Sequence, residues 1–477
     1  MSVVDFPESS SRFHVRKPPD RSRVDACPGA LQTHPAADGA VARIRVPGGV
    51  LTAAQLRELG AAATSLGSGV VELTSRANVQ VRGLNAEGET AFAARMAAAG
   101  LLPSATHERV RNILASPMAG LDGRGLIEVA PLVRELDEAL CSRPALAGLP
   151  GRFLFALDDG RGDLPALKAD LTFVPIPAPA GGEPVEGALL LAGEDHGVRL
   201  APTQAVSAMM AAAEAFLAER TAQNSTAWRM AELDDGPARI ATHLGGSARV
   251  GTPAHADGPT GSGEHGPVPV VSPDVPSSPP LGLVHRPARG AVPGPGERAV
   301  PRVALVVMPP LGRLTGAQAR ALATAAQAGD GEIRLTPWRG AVVPGVSGAD
   351  AESWLSRLAA TGLVTDPASP WTGVTACTGR PGCAKSLSDV QADAASIAHI
   401  QATTARAPGA GVLRVHWAGC ERRCGRPAGQ AVLVVATGDG YRVDAGGRSL
   451  HCEDIEETTA AVTAARQVAG TSRRSGA

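Results

Sequence analysis

The fold is decided by two stretches that repeat one another, LTAAQLRELGAAATSLGSGVVELTSR (51–76) and LTGAQARALATAAQAGDGEIRLTPWR (314–339). Each begins with Leu-Thr, and Thr52 and Thr315 are predicted helix N-caps because a hydroxyl can accept a hydrogen bond from the first turn. Each continues as an Ala- and Leu-rich helix, reaches a Gly, and ends in an alternating segment typical of a half-buried strand. The sequence therefore predicts the same helix and strand twice.

The repeat extends beyond these two stretches. The strands VARIRVPGG (41–49) and RVALVVMPP (302–310) precede them, which completes a β-α-β unit in each copy. Further on, GALLLAGEDHGVRL (187–200) corresponds to QAVLVVATGDGYRV (430–443), and both predict a hairpin with a Gly/Asp turn. Two matches in the same order argue against chance similarity in an Ala-rich chain. We expect two pseudo-symmetric halves, with a site in the seam between them.

Composition excludes several classes of protein. The chain has 477 residues, of which 44% are hydrophobic, so it can bury several cores. Its net charge of -1 argues against a nucleic-acid or membrane-surface binder, because either would need a basic excess. The sequence has no apolar run of about 18 residues and no secretory signal at its polar N-terminus. We expect a soluble, cytoplasmic protein with no nucleic-acid and no membrane partner.

The segment 244–298 differs from the rest of the chain. It is rich in Pro, Gly and Ser and has neither helical nor strand periodicity. Such a composition cannot bury enough apolar surface to offset chain entropy. We expect a disordered linker between the halves, whose histidines are too widely spaced for a binding role.

Four cysteines form two tight pairs in the second half, C-x5-C and C-x3-C. They are Cys377, Cys383, Cys420 and Cys424. Four thiolates gathered in this way can hold a [4Fe–4S] cluster or a zinc ion. The five-residue loop is wide for structural zinc, which favours the cluster, while zinc and unrelated buried thiols remain alternatives.

The surroundings of the cysteines support the same interpretation. A helix over 384–400 is predicted to begin at Cys383, where its positive N-terminal end would favour an anionic cluster. The second pair follows the strand that ends before Cys420. The odd total of seven cysteines argues against a disulfide framework, and Cys141 is expected to be a small core residue.

The cysteine spacing resembles the [4Fe–4S] motif of the sirohaem-dependent sulfite and nitrite reductases, in which two ferredoxin-like halves enclose a tetrapyrrole beside the cluster. Residues 43–49 resemble the R-x-R-x-P-G-G element of that family, residues 73–80 its L-T-[TS]-R-x-x-x-Q signature, and residues 111–112 its R-N pair. The resemblance covers nearly the whole chain except the linker and the extreme ends.

The resemblance implies an α+β fold in which each half joins a ferredoxin-like domain to a nitrite/sulfite reductase-type α/β domain. The implied segments are 25–100 (ferredoxin-like half-domain 1), 101–240 (α/β domain 1, without a cluster), 244–298 (linker), 299–365 (ferredoxin-like half-domain 2) and 366–470 (cluster-binding α/β domain 2).

The same resemblance implies a set of residues that face the tetrapyrrole or a small ligand on it. These are Arg43, Thr74, Arg76, Gln80 and Arg111. Arginine suits a uroporphyrinoid ligand because its guanidinium grips carboxylates in bidentate fashion and stays charged. For any one arginine taken alone, a surface position is the competing interpretation.

Two departures from the reductase pattern bear on the reaction. LPGRFL (149–154) falls where sulfite reductases have L-P-R-K-F-K, so that Arg152 keeps one cation and Leu154 replaces a lysine. Glu72 occupies a position that is often arginine in the reductases. A sulfite site depends on dense positive charge, so these changes argue against six-electron sulfite reduction.

The two ends of the chain resemble another branch of this superfamily. Residues 27–29 (CPG) before 37–43, and the terminal hairpin 434–447, are similar to the precorrin-3B synthases of aerobic cobalamin biosynthesis. That family hydroxylates precorrin-3A at C20 with O₂ and closes a γ-lactone. Precorrin-3A shares its dimethylated parent with sirohaem, so a pocket for one can hold the other as substrate.

This resemblance implies an oxidoreductase with defined partners. Its substrates are precorrin-3A and O₂, and an external donor, NADH or a reduced carrier, supplies electrons through the [4Fe–4S] cluster. Oxygen is activated on a cluster iron or on a separate non-haem iron, for which the sequence shows no 2-His-1-carboxylate ligand set. Substrate carboxylates fall to Arg43, Arg76, Arg111 and Arg152, and neutral hydrogen bonds to Thr74 and Gln80. Cys27 is either a ligand or a buried thiol.

Two alternatives remain open at this point. A sirohaem-dependent nitrite or sulfite reductase would carry sirohaem as a bound cofactor with a strong visible band. A non-enzymatic iron–sulfur or zinc scaffold would leave the arginine motifs without a role.

Overall fold

The structure is a computed structural model that describes most of the chain. The described residues are 25, 27–178, 186–245, 278–285, 301–404, 413–427 and 430–471. Within them the strands form four five-stranded sheets. The expected α+β class with two related halves is confirmed.

The first repeat begins the first half. Its elements are β1 (His34–Ala36), β2 (Gly39–Ile44), β3 (Val50–Thr52), α1 (Ala53–Leu66), β4 (Val70–Leu73), β5 (Val79–Leu84) and α2 (Ala86–Ala98). The predicted N-cap at Thr52 is confirmed, since its hydroxyl accepts a hydrogen bond from the backbone N–H of Gln55 at 3.1 Å. The Gln55 side chain accepts one in return from the Thr52 backbone N–H, which completes a capping box.

The first outer domain follows. Its elements are β6 (Ile113–Ala115), α3 (Ala130–Cys141), β7 (Phe155–Leu157), β8 (Leu171–Pro175), β9 (Gly187–Leu191), β10 (Arg199–Leu200), α4 (Ala205–Ala222) and α5 (Gly236–His243). Strands β6, β7 and β8 are parallel, whereas β8, β9 and β10 are antiparallel. The hairpin predicted over 187–200 is therefore confirmed.

The second repeat has the same elements as the first. They are β11 (Gly282–His285), β12 (Arg302–Val307), β13 (Arg313–Thr315), α6 (Gly316–Ala328), β14 (Glu332–Leu335), β15 (Ala341–Ser347) and α7 (Ala351–Ala360). Thr315 caps α6 as predicted, accepting from the backbone N–H of Gln318 at 3.2 Å.

The predicted linker contains one element that the sequence did not reveal. Strand β11 lies within 244–298, yet it pairs with β12 in antiparallel register as an edge strand. Its four residues carry no alternation strong enough to predict a strand. Most of the predicted linker, 246–277 and 286–298, lies outside the described residues.

The second outer domain matches the first. Its elements are β16 (Val374–Ala376), α8 (Val390–Thr404), β17 (Arg414–Ala418), β18 (Ala431–Ala436), β19 (Tyr441–Ala445), β20 (Arg448–Cys452) and α9 (Ile455–Thr471). Strands β16, β17 and β18 are parallel, and β18 and β19 form the hairpin predicted over 430–443.

The two repeats exchange strands. Strand β13 of the second repeat pairs with β4 of the first, and β3 of the first pairs with β14 of the second. The first central sheet thus runs β1-β2-β5-β4-β13, and the second runs β11-β12-β15-β14-β3. Helices α1 and α6 pack closely, because a Cβ on Gly60 would lie 2.7 Å from the Cβ of Ala319. The seam between the halves is therefore built from elements of both.

No helix in the described part of the chain is long and apolar enough to cross a membrane.

Candidate functional site

A row of polar side chains crosses the first central sheet. Arg43 lies opposite Gln80, and Gln80 lies opposite Glu72. Glu72 in turn lies opposite Arg313 on the exchanged strand β13. Residues directly opposite one another in a sheet project from the same face, so these four form one polar row. Arg43 Nη2 donates to Gln80 Oε1 at 2.8 Å, and Gln80 Nε2 donates to Glu72.

Arg43 is held with its charge poorly solvated. Burial lowers the pKa of Arg43, a Cys27 thiolate would raise it, and nearby Arg152 lowers it further. Within the described residues Arg43 Nε is buried and has no hydrogen-bond partner. An unsatisfied buried donor costs about 1–3 kcal/mol, so a ligand carboxylate at this nitrogen would relieve it.

The turn after β4 presents Arg76. Thr74 Oγ1 accepts hydrogen bonds from the backbone N–H of Asn78 at 3.1 Å and of Arg76 at 3.3 Å. The Arg76 guanidinium reaches the Gly151 carbonyl at 3.4 Å. Burial, and next Arg229, lower the pKa of Arg76 to about 10. Thr74 therefore stabilises the turn. The Arg76 side chain contacts the loop that contains Gly151 and the predicted site residue Arg152.

Arg152 and Cys27 lie at that loop. The Arg152 side chain is exposed and its guanidinium carbon lies 4.8 Å from the centre of the Trp228 ring. The Asp25 carboxylate accepts hydrogen bonds from the backbone N–H groups of Cys27 and Gly151, which ties the segment before β1 to the loop. Cys27 is half-buried beside it. Arg43, Arg76, Arg152 and Cys27 are thus brought together.

Arg111 is held differently. Its guanidinium forms two hydrogen bonds with the Asp137 carboxylate on α3, at 2.7 and 2.6 Å. Both groups are largely buried, so the ion pair neutralises the cation. Arg111 was predicted to face the ligand, but its charge is already paired with Asp137 and it does not join the polar row.

Sequence reasoning missed two buried arginines close in sequence to the predicted site residues. Arg45 is 1% exposed, burial lowers its pKa to about 9, and its Nη2 has no hydrogen-bond partner among the described residues. Arg82 donates to the Gly382 carbonyl at 2.6 Å, which links the sheet to the loop between Cys377 and Cys383. The available signal was their spacing, because each lies two residues from a predicted site residue.

The four cysteines of the two pairs line one cavity together with Arg82. The backbone N–H of Gly419 donates to Cys377 Sγ at 3.2 Å. Burial raises the pKa of the Cys377 thiol, amide hydrogen bonds from Gly419 and Gly379 lower it, and neighbouring Cys424 and Cys383 raise it. The thiols are thus close enough to interact, and backbone donors are already directed at one of them.

The helix expected to begin at Cys383 begins later. Helix α8 starts at Val390, and residues 384–389 form turns instead. These turns are fixed by hydrogen bonds from Leu387 N–H to the Gly419 carbonyl at 2.8 Å and from Ser386 Oγ to the Ser388 carbonyl at 2.8 Å. The helix dipole therefore does not act directly on Cys383.

The donor set suits an iron–sulfur cluster, because all four thiols line one cavity. Tetrahedral zinc would need its ligands within about 2.0–2.3 Å of one point. A four-iron cluster spreads its thiolates further apart, and amide donors near sulfur stabilise its negative charge.

The central sheets carry a known domain twice. Residues 34–99 and 298–361 match the nitrite/sulfite reductase ferredoxin-like half domain. Both halves of the chain therefore carry a half domain typical of the nitrite/sulfite reductase family.

Individual relatives point to more than one activity. The chain is 27% identical to a ferredoxin–nitrite reductase of Synechococcus elongatus, over 81% of this chain and 74% of the relative. It is also 27% identical to a precorrin-3B synthase of a Sinorhizobium species, over 88% of this chain and 82% of the relative. The Mycobacterium tuberculosis NirA structure shares the fold, with a TM-score of 0.64 and 21% identity, covering 88% of this chain and 79% of that one. The family makes the chain an oxidoreductase of the sulfite/nitrite reductase type, and its particular reaction must be argued from the site.

Proposed function

We propose that the chain catalyses the precorrin-3B synthase reaction. In this reaction O₂ hydroxylates precorrin-3A at C20 and a γ-lactone closes, a step of aerobic cobalamin biosynthesis. The alternative is sirohaem-dependent nitrite or sulfite reduction.

The observation that carries the proposal is the position of the polar row. Arg82, two residues after Gln80 on β5, is paired with the Asp38 carboxylate and donates to the Gly382 carbonyl inside the first cysteine loop. A polycarboxylate macrocycle bound to the row would therefore lie against the cysteines. This juxtaposition supports a site where a tetrapyrrole and an iron–sulfur cluster meet.

Each residue of the site can be given a role from its contacts. Arg43, Arg76 and Arg152 bind substrate carboxylates, and the unsatisfied Arg43 Nε is one donor for them. Gln80 bridges Arg43 to Glu72 and so orients the guanidinium. Fixing the macrocycle by several such contacts holds C20 in one place. Arg111 is excluded from this set because Asp137 neutralises it.

Glu72 favours the synthase over the reductase. Its carboxylate lies within the row, where it partly offsets the burial that lowers the pKa of Arg43 and of Arg339. A negative charge here weakens the binding of a small oxyanion such as sulfite, which relies on dense positive charge. A large substrate with many carboxylates can still be held by arginines on either side of Glu72.

The reaction balances with one external reductant. One atom of O₂ enters C20 and the other leaves as water, so two electrons and two protons must be supplied. The donor is NADH or a reduced carrier. A [4Fe–4S] cluster held by Cys377, Cys383, Cys420 and Cys424 would relay these electrons when bound.

The first experiment distinguishes substrate from cofactor. The protein is purified anaerobically and analysed for iron, sulfide and sirohaem, with a visible spectrum. About four iron and four sulfide per chain without a sirohaem band is the expected result. One sirohaem per chain, or no iron and sulfide, would contradict the proposal.

The nitrite reductase alternative has its own support in the relative from Synechococcus elongatus. It predicts a bound sirohaem and reduction of nitrite or sulfite by the purified protein. Either result would replace the synthase as the proposed function.

A further inference from the structure

Two pseudo-equivalent turns carry different residues at the position before their last one, Ala77 in one and Arg339 in the other. The turn from Thr74 to Asn78 and the turn from Thr336 to Gly340 are each closed by a hydrogen bond from the threonine N–H to the last carbonyl, at 2.9 Å in both. In each, the residue before the last has a left-handed backbone, with φ of 51° at Ala77 and 62° at Arg339. That conformation disfavours residues with a side chain, and such strain is concentrated at functional sites. The left-handed backbone at Arg339 therefore directs attention to what its side chain does.

The chain makes room for the Arg339 side chain. Gly312 has a φ of 73°, and a Cβ there would lie 2.8–3.3 Å from the Cβ, Cγ and Cδ atoms of Arg339. Those distances are too short for carbon atoms in contact. Glycine at 312 thus lets the arginine stem pass.

The guanidinium ends beside the second cysteine pair. A Cβ on Gly425, the residue after Cys424, would lie 3.3 Å from Arg339 Nη2. His416 lies next to it, and burial and then Arg339 lower the pKa of His416 to about 4, so its ring is neutral. Its Nε2 donates to the Cys424 carbonyl at 3.1 Å and its Nδ1 is hydrogen-bonded to Thr375 Oγ1 at 3.0 Å.

The charge of Arg339 is not neutralised by an ion pair within the described residues. Burial lowers the pKa of Arg339, and Glu72 offsets part of this shift. Glu72 itself is ion-paired with Arg313, whose Nε lies 4.0 Å from Glu72 Oε1. A largely buried positive charge therefore lies against the Cys420–Cys424 loop.

We propose that Arg339 is a positioning residue that sets the reduction potential of an iron–sulfur cluster bound by the four cysteines. Reduction adds one negative charge to the cluster, and a cation beside Cys424 stabilises the reduced form more than the oxidised form. Glu72 tunes the same charge from the other side. The inference rests on the proposed cluster, but not on the reaction that it serves.

The test is a redox titration of the full chain with its cluster reconstituted anaerobically, followed by electron paramagnetic resonance. Arg339→Gln removes the charge and keeps much of the side-chain length. At the potential where half of the wild-type cluster is reduced, its reduced-to-oxidised ratio should fall about tenfold, which corresponds to about 59 mV for a one-electron couple. Arg339→Lys should stay within about twofold of wild type.

Two further variants separate charge from structure. Glu72→Gln removes the opposing carboxylate, and the reduced-to-oxidised ratio should rise at the same potential. Arg57→Gln removes a partly buried arginine on α1 that donates to Gln327, and it should leave the ratio unchanged. A merely structural role of Arg339 would not produce opposite shifts in Arg339→Gln and Glu72→Gln.

The outcomes are distinguishable. A wild-type chain without iron and sulfide overturns both the proposed function and this inference. A wild-type cluster whose midpoint is unchanged in Arg339→Gln and in Glu72→Gln overturns the inference alone. If Arg339→Gln does not retain iron, Glu72→Gln alone is the test. A rise in its reduced-to-oxidised ratio supports the inference, and an unchanged or lower ratio overturns it.

Discussion

The two central sheets carry pseudo-equivalent rows of opposite character. In the first sheet the row is polar and consists of Arg43, Gln80, Glu72 and Arg313. In the second sheet the corresponding positions are Val306, Val342, Arg334 and Val50. The backbone arrangement is the same in both, so the difference lies in the side chains alone.

The second row is covered by the first outer domain. Met118 and Leu121 pack with Val306 and Val342 in one buried cluster. Arg334, the one charged member, donates to the Ala119 carbonyl at 2.7 Å. Here the loop after β6 occupies the face that the cysteine loops approach in the other half. The two repeats thus share one scaffold, and only the first presents a polar row, so the proposed function predicts one tetrapyrrole per chain.

The outer domains show the same contrast. Cys377 directly follows β16, and Ser116 directly follows the equivalent strand β6. In the first outer domain the loop after β7 places Asp163 so that it accepts a hydrogen bond from Ser116 Oγ at 2.7 Å. Where one half holds thiols, the other holds a buried hydroxyl and carboxylates.

The largest expected effect is the loss of the cluster. Cys424→Ser removes one of four thiolates, and we expect iron and sulfide to fall nearly to zero after anaerobic reconstitution, because oxygen is a poor substitute for thiolate. Cys141→Ser is the control, since Cys141 lies on α3 beside Asp137. Wild-type iron content in Cys424→Ser would refute the assignment of the ligands.

A charge introduced into the apolar row of the second sheet should destabilise the protein far more than a charge introduced into the polar row of the first. Val342 is fully buried, and Val342→Glu should lower the free energy of unfolding by about 3 kcal/mol or more. Gln80→Glu, at the equivalent and only half-buried polar position, should cost less, because pairing with Arg43 offsets the repulsion from Glu72. Urea denaturation measures both, and equal losses would show that the rows are not different environments.

Removing a cation from the polar row should weaken tetrapyrrole binding. Arg43→Ala deletes a charged donor worth about 1.5–3 kcal/mol, so the affinity for uroporphyrin should fall by about 10- to 100-fold. Fluorescence titration measures the affinity, with Arg57→Ala as the control. An unchanged affinity in Arg43→Ala would place the ligand elsewhere.

Asp163 should make stability depend on pH. Burial, and next the neighbouring Asp158, raise the pKa of Asp163 to about 8, whereas the unfolded chain releases this proton near pH 4. Between these values the folded state binds the extra proton, so stability falls as pH rises. Asp163→Asn cannot lose the proton and should reduce the fall between pH 5 and 8 by about 1–3 kcal/mol.

Urea midpoints at both pH values give the slope. Ser116→Ala is a useful companion, because it removes the hydrogen bond to Asp163 without removing the carboxyl. The same slope in wild type and Asp163→Asn would contradict a raised pKa.

The smallest expected effect tests the symmetry itself. Thr52→Ala and Thr315→Ala each remove a side chain that completes a capping box. Each should cost about 1 kcal/mol of unfolding free energy, and the two costs should agree within about 0.5 kcal/mol. A cost at one threonine alone would show that the helices depend unequally on their caps.

The sequence predicted the duplicated scaffold because its signals are local. Both caps and both hairpins depend on residues within a few positions of one another, and all four are present. The strand exchange was missed because β3 and β13 have three residues each, too few for periodicity. Pairing between such short strands is decided by the tertiary fold.

The site was predictable where residues share a strand or a turn. Arg43, Gln80 and Arg76 follow from motifs, and the structure brings them to one region. The Arg111–Asp137 pair joins residues 26 positions apart, and no local pattern reveals it. The start of α8 was also wrong, because hydrogen bonds to the Gly419 region hold residues 384–389 in turns.

The central claim is that this chain uses the polar row to hold a tetrapyrrole as substrate for oxygen insertion. The most direct test supplies anaerobically purified protein with precorrin-3A, a reductant and ¹⁸O₂, and follows the product by mass spectrometry. We predict a product that carries one ¹⁸O atom, and the yield should fall in Arg43→Ala. An unchanged tetrapyrrole from a protein that contains sirohaem and reduces nitrite or sulfite would contradict the claim.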